Sequence, residues 1–419
     1  MDRITSRLAA LEALGAQPSP HALFVPGRIE VLGKHTDYAG GESLTCASTH
    51  GFAAYVHPWD APALRLQDLA RGQTAEIDFH DPKPTASWTV YPAAVVRRVV
   101  RHFGPPKHGI RIVMASDLPS ASGMSSSSAL VVTVLLAMLG EHDGPLPFES
   151  RADLAGFGGA IESGADWRDL PGDAGVGTRG GSQDHTALLC GAAGHLSLFG
   201  YHPITCHERV AWPEHTAFVV AGSGVKARKT GEALERYNRV SWRAAEVARQ
   251  FGADIDRQFD HLGGMMSQPD FDRESLRWAI TDDDLWDRFQ QFERETSHVL
   301  PEALRAIRAG EWGRFGSATA ESQQMASEWL GNQVPETEAL VKLALDNGAH
   351  AASSFGAGFG GAVWAVVPRA QRDAFTAAWQ AAYHGAFPAQ EGKSVFLQDE
   401  PGAPAWTSPA GILGSRISG

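Results

Sequence analysis

Cysteine is nearly absent from this chain. Cys46, Cys190 and Cys206 are far apart and odd in number. They supply neither a disulfide framework nor a Cys-rich metal site, which fits a reducing cytoplasm. Long apolar runs are missing too: none approaches the roughly 20 residues that span a bilayer. The first residues, MDRITSRLAALEALG, are interrupted by acidic side chains and lead into no apolar core, so they do not read as a signal peptide. Ile4, Leu8, Leu11 and Leu14 recur there at helical spacing and predict a surface helix that packs one face. Positive charge is scarce, 36 Lys and Arg against 48 Asp and Glu, a net charge of −12. That excludes phosphate-backbone binding as the main task, while leaving room for a local positive pocket around a phosphorylated small molecule. No internal repeat and no low-complexity tract is visible. The expectation is a soluble cytoplasmic protein whose partners are small molecules, with no nucleic acid and no membrane. Nothing in the sequence fixes the oligomeric state, and a monomer is compatible with it.

What is present is enough chain, 419 residues, for about two to three domains with cores of their own. HALFV, GFAAYVHP and GIRIVMAS predict strands, rich in β-branched and aromatic residues between turn formers. YPAAVVRRVVRHFG and SSALVVTVLLAMLGEH predict helices, the second apolar on nearly every side and therefore buried. A Gly-, Asp- and Arg-rich loop runs from Gly164 to about Gly181, followed by a helix and the strand GHLSLFGY. HPITCHERVAWPEH, with Pro203 and Pro213 near its ends, reads as a link between domains. The strand TAFVVAG follows, then a mostly helical stretch from Thr230 to Asn347. The pattern returns to strand, Gly-rich loop and strand in SSFGAGFGGAVWAVVP, with a helix and a last strand near SVFLQD. The fold class is α+β in two lobes.

Three segments carry chemistry. In PSASGMSSSSALVV a turn with Gly123 leads into Ser125, Ser126, Ser127 and Ser128 and then the apolar helix. The serines therefore sit on a helical first turn, where free N–H groups and the dipole favour an anion. One serine would suffice as an N-cap, and four exceed that need. FGAGFGG, Phe355 to Gly361, is almost without side chains, as where another backbone or a ligand comes close. In TRGGSQDHTALLCG, Asp184 begins a helix, a place the dipole favours for a carboxylate and which an N-cap role also explains. EGKSV mimics the end of a Walker A loop, but Phe387 stands where its first glycine belongs, so that match is chance. Asp282 to Asp284, in TDDDL, read as a helix start.

These elements, in this order, resemble the GHMP kinase superfamily, and the first is most similar to galactokinases. GRIEVLGKHTDYAGG is similar to the galactokinase signature G-R-[VIF]-N-L-I-G-E-H-[TI]-D-Y. PSASGMSSSSAL resembles the phosphate-loop motif P-x-G-x-G-L-S-S-S-A, and SSFGAGFGGAVWAVV the third motif T-G-A-G-F-G-G. GEALERYNRV and GGSQDH are weaker echoes of S-S-E-Y-N-x-R and G-I-M-D-Q. The resemblance covers about Phe24 to Val367. It implies a two-lobed fold, an N-terminal lobe of residues 1–209 and a C-terminal lobe of residues 210–419, with the active site in the cleft between them. It further implies ATP and Mg²⁺ as cofactors and a sugar as acceptor. By position, Asp184 would lie beside the sugar's anomeric hydroxyl and Arg28 would pair with it, holding its pKa down. His35, Asp37 and Tyr237 would contact the sugar. The loop Gly123, Met124, Ser125, Ser126, Ser127 and Ser128 would wrap the ATP phosphates, with Ser127 and Glu162 ligating magnesium.

The chain departs from the pattern at Lys34, where galactokinases carry a glutamate associated with the sugar's C6 hydroxyl. An ammonium only donates hydrogen bonds, so a Lys34 facing the sugar would suit a C6 carboxylate. The alternative is a Lys34 that pairs with Asp37, Glu42 or another carboxylate at the pocket edge. His185 replaces the glutamine of the D-Q pair, and the segment between Glu162 and Asp184 is longer than usual, with Arg168 and Arg179 in it. The expected function is ATP-dependent phosphorylation of the anomeric C1 hydroxyl of galactose or a related sugar. A galacturonate-type 1-kinase using Lys34 ranks second, and a non-catalytic regulator that senses sugar and ATP third. Arg28, Ser127 and Asp184 together favour an enzyme over the regulator.

Overall fold

The computed structural model describes residues 2–119, 123–225 and 232–409. Among these, one sheet has eight strands and a second has four. The strands are β1 (Ala22–Leu32), β2 (Glu42–Trp59), β3 (Ala63–Asp68), β4 (Gln73–Asp78), β5 (Gly109–Ser116), β6 (His195–Gly200), β7 (Thr205–Ala211), β8 (Thr216–Gly222), β9 (Ala351–Phe355), β10 (Ala362–Pro368), β11 (Val395–Asp399) and β12 (Trp406–Ser408). The first sheet runs β12-β1-β2-β5-β3-β4. The long β2 divides its outer edge, giving residues 42–45 to β6 and 52–59 to β5. The second sheet runs β11-β8-β10-β9.

Helix α1 (Asp2–Ala13) lies on the surface, with Ile4 and Leu11 buried. Helices α2 (Val90–Phe103), α3 (Ser126–Gly140), α4 (Arg151–Ser163) and α5 (Gln183–Cys190) follow in the first half. α3 is buried from Ser128 to Leu139 without a break, which is why its sequence shows no polar face. The continuous apolar run of β8 has the same origin, since both faces of that strand are covered. Phe218 and Val220 join the main core, which also holds α3. Val219 and Ala221 pack with Leu340 and Trp379 on the opposite face.

Two expectations about connections are corrected. HPITCHERVAWPEH is a linker only at its end: its middle forms β7, antiparallel to β6 in the first sheet. The passage to the second sheet is the short turn between Ala211 and Thr216. SVFLQD is not the last strand either, because the chain returns to the first sheet and Trp406 pairs with Phe24 of β1. No described helix is long and apolar enough to cross a membrane.

Candidate active site

The site begins with the register of β1. Alternation along a strand puts Arg28 and Glu30 on one face and Ile29 and Val31 on the other. Ile29 and Val31 enter the apolar core, so Arg28 and Glu30 are driven into a polar cleft. Pairing with β2 shifts between Pro26 and Arg28 and again between Glu30 and Leu32. Irregularities of this kind bend a strand and re-aim its side chains. Beyond β1 the chain turns through His35, at φ 57°, into the short helical turn Asp37–Ala39, which Ala39 anchors in a helical cluster with Val247 and Phe289.

Arg28 grips Asp184 with both arms of its guanidinium: Nε donates to Oδ1 at 2.8 Å, and Nη2 lies 2.7 Å from the same atom. Its Nη1 donates to the carbonyl of Gly123. Burial is the largest influence on Arg28 and would lower its pKa, but Asp184 and Glu30 outweigh it and the net shift is upward. Asp184 stands on the first turn of α5 as expected. Its Oδ2 accepts from Ser128 at 3.3 Å, and Ser128 donates to Glu162 Oε2 at 2.8 Å. Thus Ser128, not Ser127, faces Glu162. Ser127 sits one residue round the first helical turn and lines the neighbouring cavity instead. His185 joins this wall, its Nε2 3.5 Å from Glu162 Oε2.

Across the cleft lie His35, Asp37, Tyr38, Thr178 and Tyr237. Asp37 Oδ2 accepts from the backbone of Gln183 at 3.1 Å, and burial raises its pKa. A Cβ on Gly181 would come within 2.3 Å of that oxygen, so only glycine lets the loop close on it. His35 Nδ1 lies 2.8 Å from the Tyr38 hydroxyl and Nε2 lies 3.2 Å from Asn332. Burial first, and then Arg288, push the His35 pKa from 6.5 down to about 3. Because the folded form resists protonation, His35 contributes stability that is complete above about pH 6.5 and is lost as pH falls toward 3. The expected loss between about pH 7.5 and pH 5 is about 2 kcal/mol. Urea unfolding at those two pH values should show it, and His35→Gln should flatten that part of the slope.

Lys34 is not in this cleft. Its Nζ donates to Ser322 and Ser353, each at 2.8 Å, and Ser322 passes on to Glu295 Oε1 at 2.9 Å. The ammonium is 2% exposed and points into the junction with the second half of the chain. The substrate contact expected of Lys34 is therefore overturned. The sequence could not reveal this, because its partners lie some 260 to 320 positions away.

A second cavity, of about 310 Å³, opens beside the first. Gly123, Ser125, Ser126 and Ser127 form one wall, and Phe52, Trp88, Tyr91, Met114 and Leu130 form an apolar end. Met124 turns its side chain into the core and offers only its carbonyl, to the Arg28 N–H at 3.3 Å. The Gly-rich loop after β9 closes over this place. A Cβ on Gly123 would meet the Phe355 carbonyl at 3.1 Å, and one on Gly356 would meet the Gly123 carbonyl at 3.0 Å. The close backbone approach expected of FGAGFGG is thus the phosphate-type loop itself. Arg168 is occupied elsewhere, paired with Asp153 and stacked on Trp167, while Arg179 borders a surface groove outside both cavities. Asp282 caps a helix through the N–H of Leu285, as expected.

Sequence reasoning missed Glu30 and Gln183 in the first cleft and the aromatic end of the second. For Glu30 the signal was there, since it stands where the quoted signature has asparagine. The aromatic residues come from strands and helices far apart in sequence and had no local pattern to find.

Arg28, Asp184 and Ala357 line both cavities, so one arginine–carboxylate pair stands where the contents of the two would meet. A helix terminus shaped for anions on one side and a cleft of hydrogen-bonding side chains on the other define a two-substrate phosphotransferase. The comparisons agree. Residues 90–192 match the GHMP kinases N terminal domain, residues 303–385 the GHMP kinases C terminal domain, and residues 11–58 the galactokinase galactose-binding signature. Galactokinase of Actinobacillus succinogenes is 26% identical over 366 residues, 84% of this chain and 86% of that protein. Galactokinase of Lacticaseibacillus casei is 27% identical over 379 residues, 87% and 89% of the two chains. The crystal structure of Lactococcus lactis galactokinase complexed with galactose superposes with a TM-score of 0.78 at 20% identity, covering 96% of this chain and 99% of that one. Mevalonate kinase of Methanococcus jannaschii shares the fold at a TM-score of 0.56, 12% identity and coverage of 92% and 99%. The chain carries matches to both the N- and the C-terminal GHMP kinase domains. It is a galactokinase-like sugar kinase, a phosphotransferase with an alcohol group as acceptor.

Proposed function

We propose that this kinase transfers the γ-phosphoryl group of ATP to the anomeric C1 hydroxyl of galactose or a closely related neutral sugar. The observation that carries this reading is the Arg28–Asp184 pair shared by the two cavities. ATP fits the second, its base against Trp88 and Tyr91 and its phosphates at the first turn of α3. The sugar fits the first, with Asp37, His35 and Tyr237 around its hydroxyls. Asp184, clamped through Oδ1 by Arg28, is a weak base, so it orients the attacking hydroxyl by accepting its hydrogen bond more than it removes the proton. Arg28 neutralises charge on the transferring group. Ser128 Oγ, Glu162 Oε2 and Asp184 Oδ2 converge as hard oxygen donors, a set that suits Mg²⁺ better than a softer metal. Held there by Ser128 and Glu162, the ion would supply charge neutralisation for the nucleotide phosphates. The cytoplasm remains part of this reading, as does a division into two lobes, drawn after Ala211 at the end of β7 and not at residue 209 within it.

A uronic acid is disfavoured by charge. Glu30, Asp37, Glu162 and Asp184 line the first cleft, and among the described residues no lysine does. A substrate carboxylate would face four others across a cleft whose one arginine is already engaged. The test is ADP release with galactose, glucose and galacturonate, with the phosphorylated position read by ³¹P–¹H coupling. Galactose 1-phosphate is the expected product, with galacturonate about 10²-fold poorer in kcat/KM. Preference for galacturonate, or phosphate on another hydroxyl, would overturn the reading.

A further inference from the structure

We propose that Glu30 is a specificity-determining contact to the acceptor sugar, its Oε1 accepting a hydrogen bond from one sugar hydroxyl; this rests on the sugar-kinase reading above. Glu30 is 4% exposed and lines the first cleft on the same face of β1 as Arg28. One half of its carboxylate is fully held. Oε2 accepts from Gln183 Nε2 at 2.8 Å and from the Gly356 N–H at 3.3 Å, with Arg28 Nη2 at 3.9 Å. Its own carbonyl accepts from Trp364 Nε1 at 3.0 Å, which fixes the backbone. The other half is not held: Oε1 is buried and has no hydrogen-bond partner among the described residues.

A carboxylate oxygen left unmet in a buried place is costly, and natural proteins rarely leave one without a use. Among the described residues the walls of the cleft supply no donor to Oε1; Glu30 lines that cleft, and the donor we assign to it is a hydroxyl of the sugar that fills it, which has the right chemistry. Gln183 sets the geometry, because its backbone N–H holds Asp37 while its side chain holds Glu30. Two acceptors are thereby fixed relative to each other, as recognition of a polyol's stereochemistry requires. Burial pushes the Glu30 pKa up to about 7, against Arg28, Lys34 and Gln183, while Asp184 adds to the rise. The ionised acceptor is therefore within reach at neutral pH. Glu30 fills the acidic role that position 34 cannot, since the Lys34 ammonium lies away from the cleft.

The experiment pairs a panel of monodeoxy galactose analogues with wild type, Glu30→Gln and Glu30→Asp, reading sugar Kd by calorimetry and KM for sugar and for ATP. In Glu30→Gln the amide oxygen keeps the contacts from Gln183 and Gly356, so an NH₂ group faces the sugar and acceptance becomes donation. Wild type should lose about tenfold or more in affinity for one deoxy analogue. In Glu30→Gln that penalty should shrink to within about twofold, the parent sugar should bind about tenfold more weakly, and KM for ATP should hold. Glu30→Asp keeps the charge but withdraws it, and should show the same selective loss. An unchanged deoxy profile in a folded variant overturns the proposal, as does a wild type that binds every deoxy analogue as tightly as galactose. Wild type that turns over no sugar at all overturns the function beneath it, and the proposal falls with it.

Discussion

Asp184→Asn should lower kcat by about 10³-fold or more while sugar and ATP still bind. The asparagine keeps the shape of the side chain but loses the charge that holds Arg28, whose nearest remaining carboxylate is Glu30 at 3.9 Å. The amide would also place either a weaker acceptor or a donor against the attacking hydroxyl. Arg28→Lys should cost a comparable factor, because an ammonium cannot reproduce the two-armed grip on Oδ1 or reach Gly123 at the same time. The two changes act on one unit, so the double variant should be little worse than either single one. Single-turnover ADP release, with ligand binding measured separately, checks all of this. A kcat within tenfold of wild type in Asp184→Asn would remove Asp184 from the reaction.

Lys34→Met should destabilise the protein by about 3–5 kcal/mol, the usual effect of removing one member of a buried charged group. The lysine is buried and its pKa is lowered, chiefly by that burial and against the pull of Glu295 and Glu30. Without it, Glu295 would keep the Gly33 N–H at 2.7 Å and the Ser322 hydroxyl, but lose the cation behind them. Its Oε2 already has no hydrogen-bond partner among the described residues. Lys34→Glu should be worse, since it sets a second carboxylate toward Glu295. Lys34→Met with Glu295→Gln should recover a large part of the loss, as replacing both members does where replacing one does not. Urea unfolding measures each step. Where a Lys34 variant folds, its order of preference among neutral sugars should match wild type. A stable Lys34→Met enzyme with altered sugar choice would return Lys34 to the substrate.

Part of this site was legible in the chain itself. The glycine–serine turn before α3 was visible because it depends on local chemistry: a glycine turn, short hydroxyl side chains and an apolar helix behind them. Asp184 at a helix start was visible for the same reason. The buried strands and α3 followed from apolar runs, whose meaning does not depend on what covers them. Positions whose partners are distant were different. Lys34 looks like a substrate contact because it stands where galactokinases carry a glutamate, yet Ser322 and Ser353 draw its ammonium the other way. Ser127 and Ser128 are alike in sequence, and only the turn of α3 decides which hydroxyl meets Glu162.

By itself, then, the sequence determined the lobed α+β class and the three glycine-marked loops, while the pairing of Arg28 with Asp184, 156 positions apart, came from the resemblance of its motifs. A local backbone requirement or a short motif expresses each of these. Only the tertiary structure decided which way each charge faces. Burial makes a charged or polar group seek its nearest partner in space, and for Glu30, Lys34 and Ser128 that partner is set by packing between distant segments.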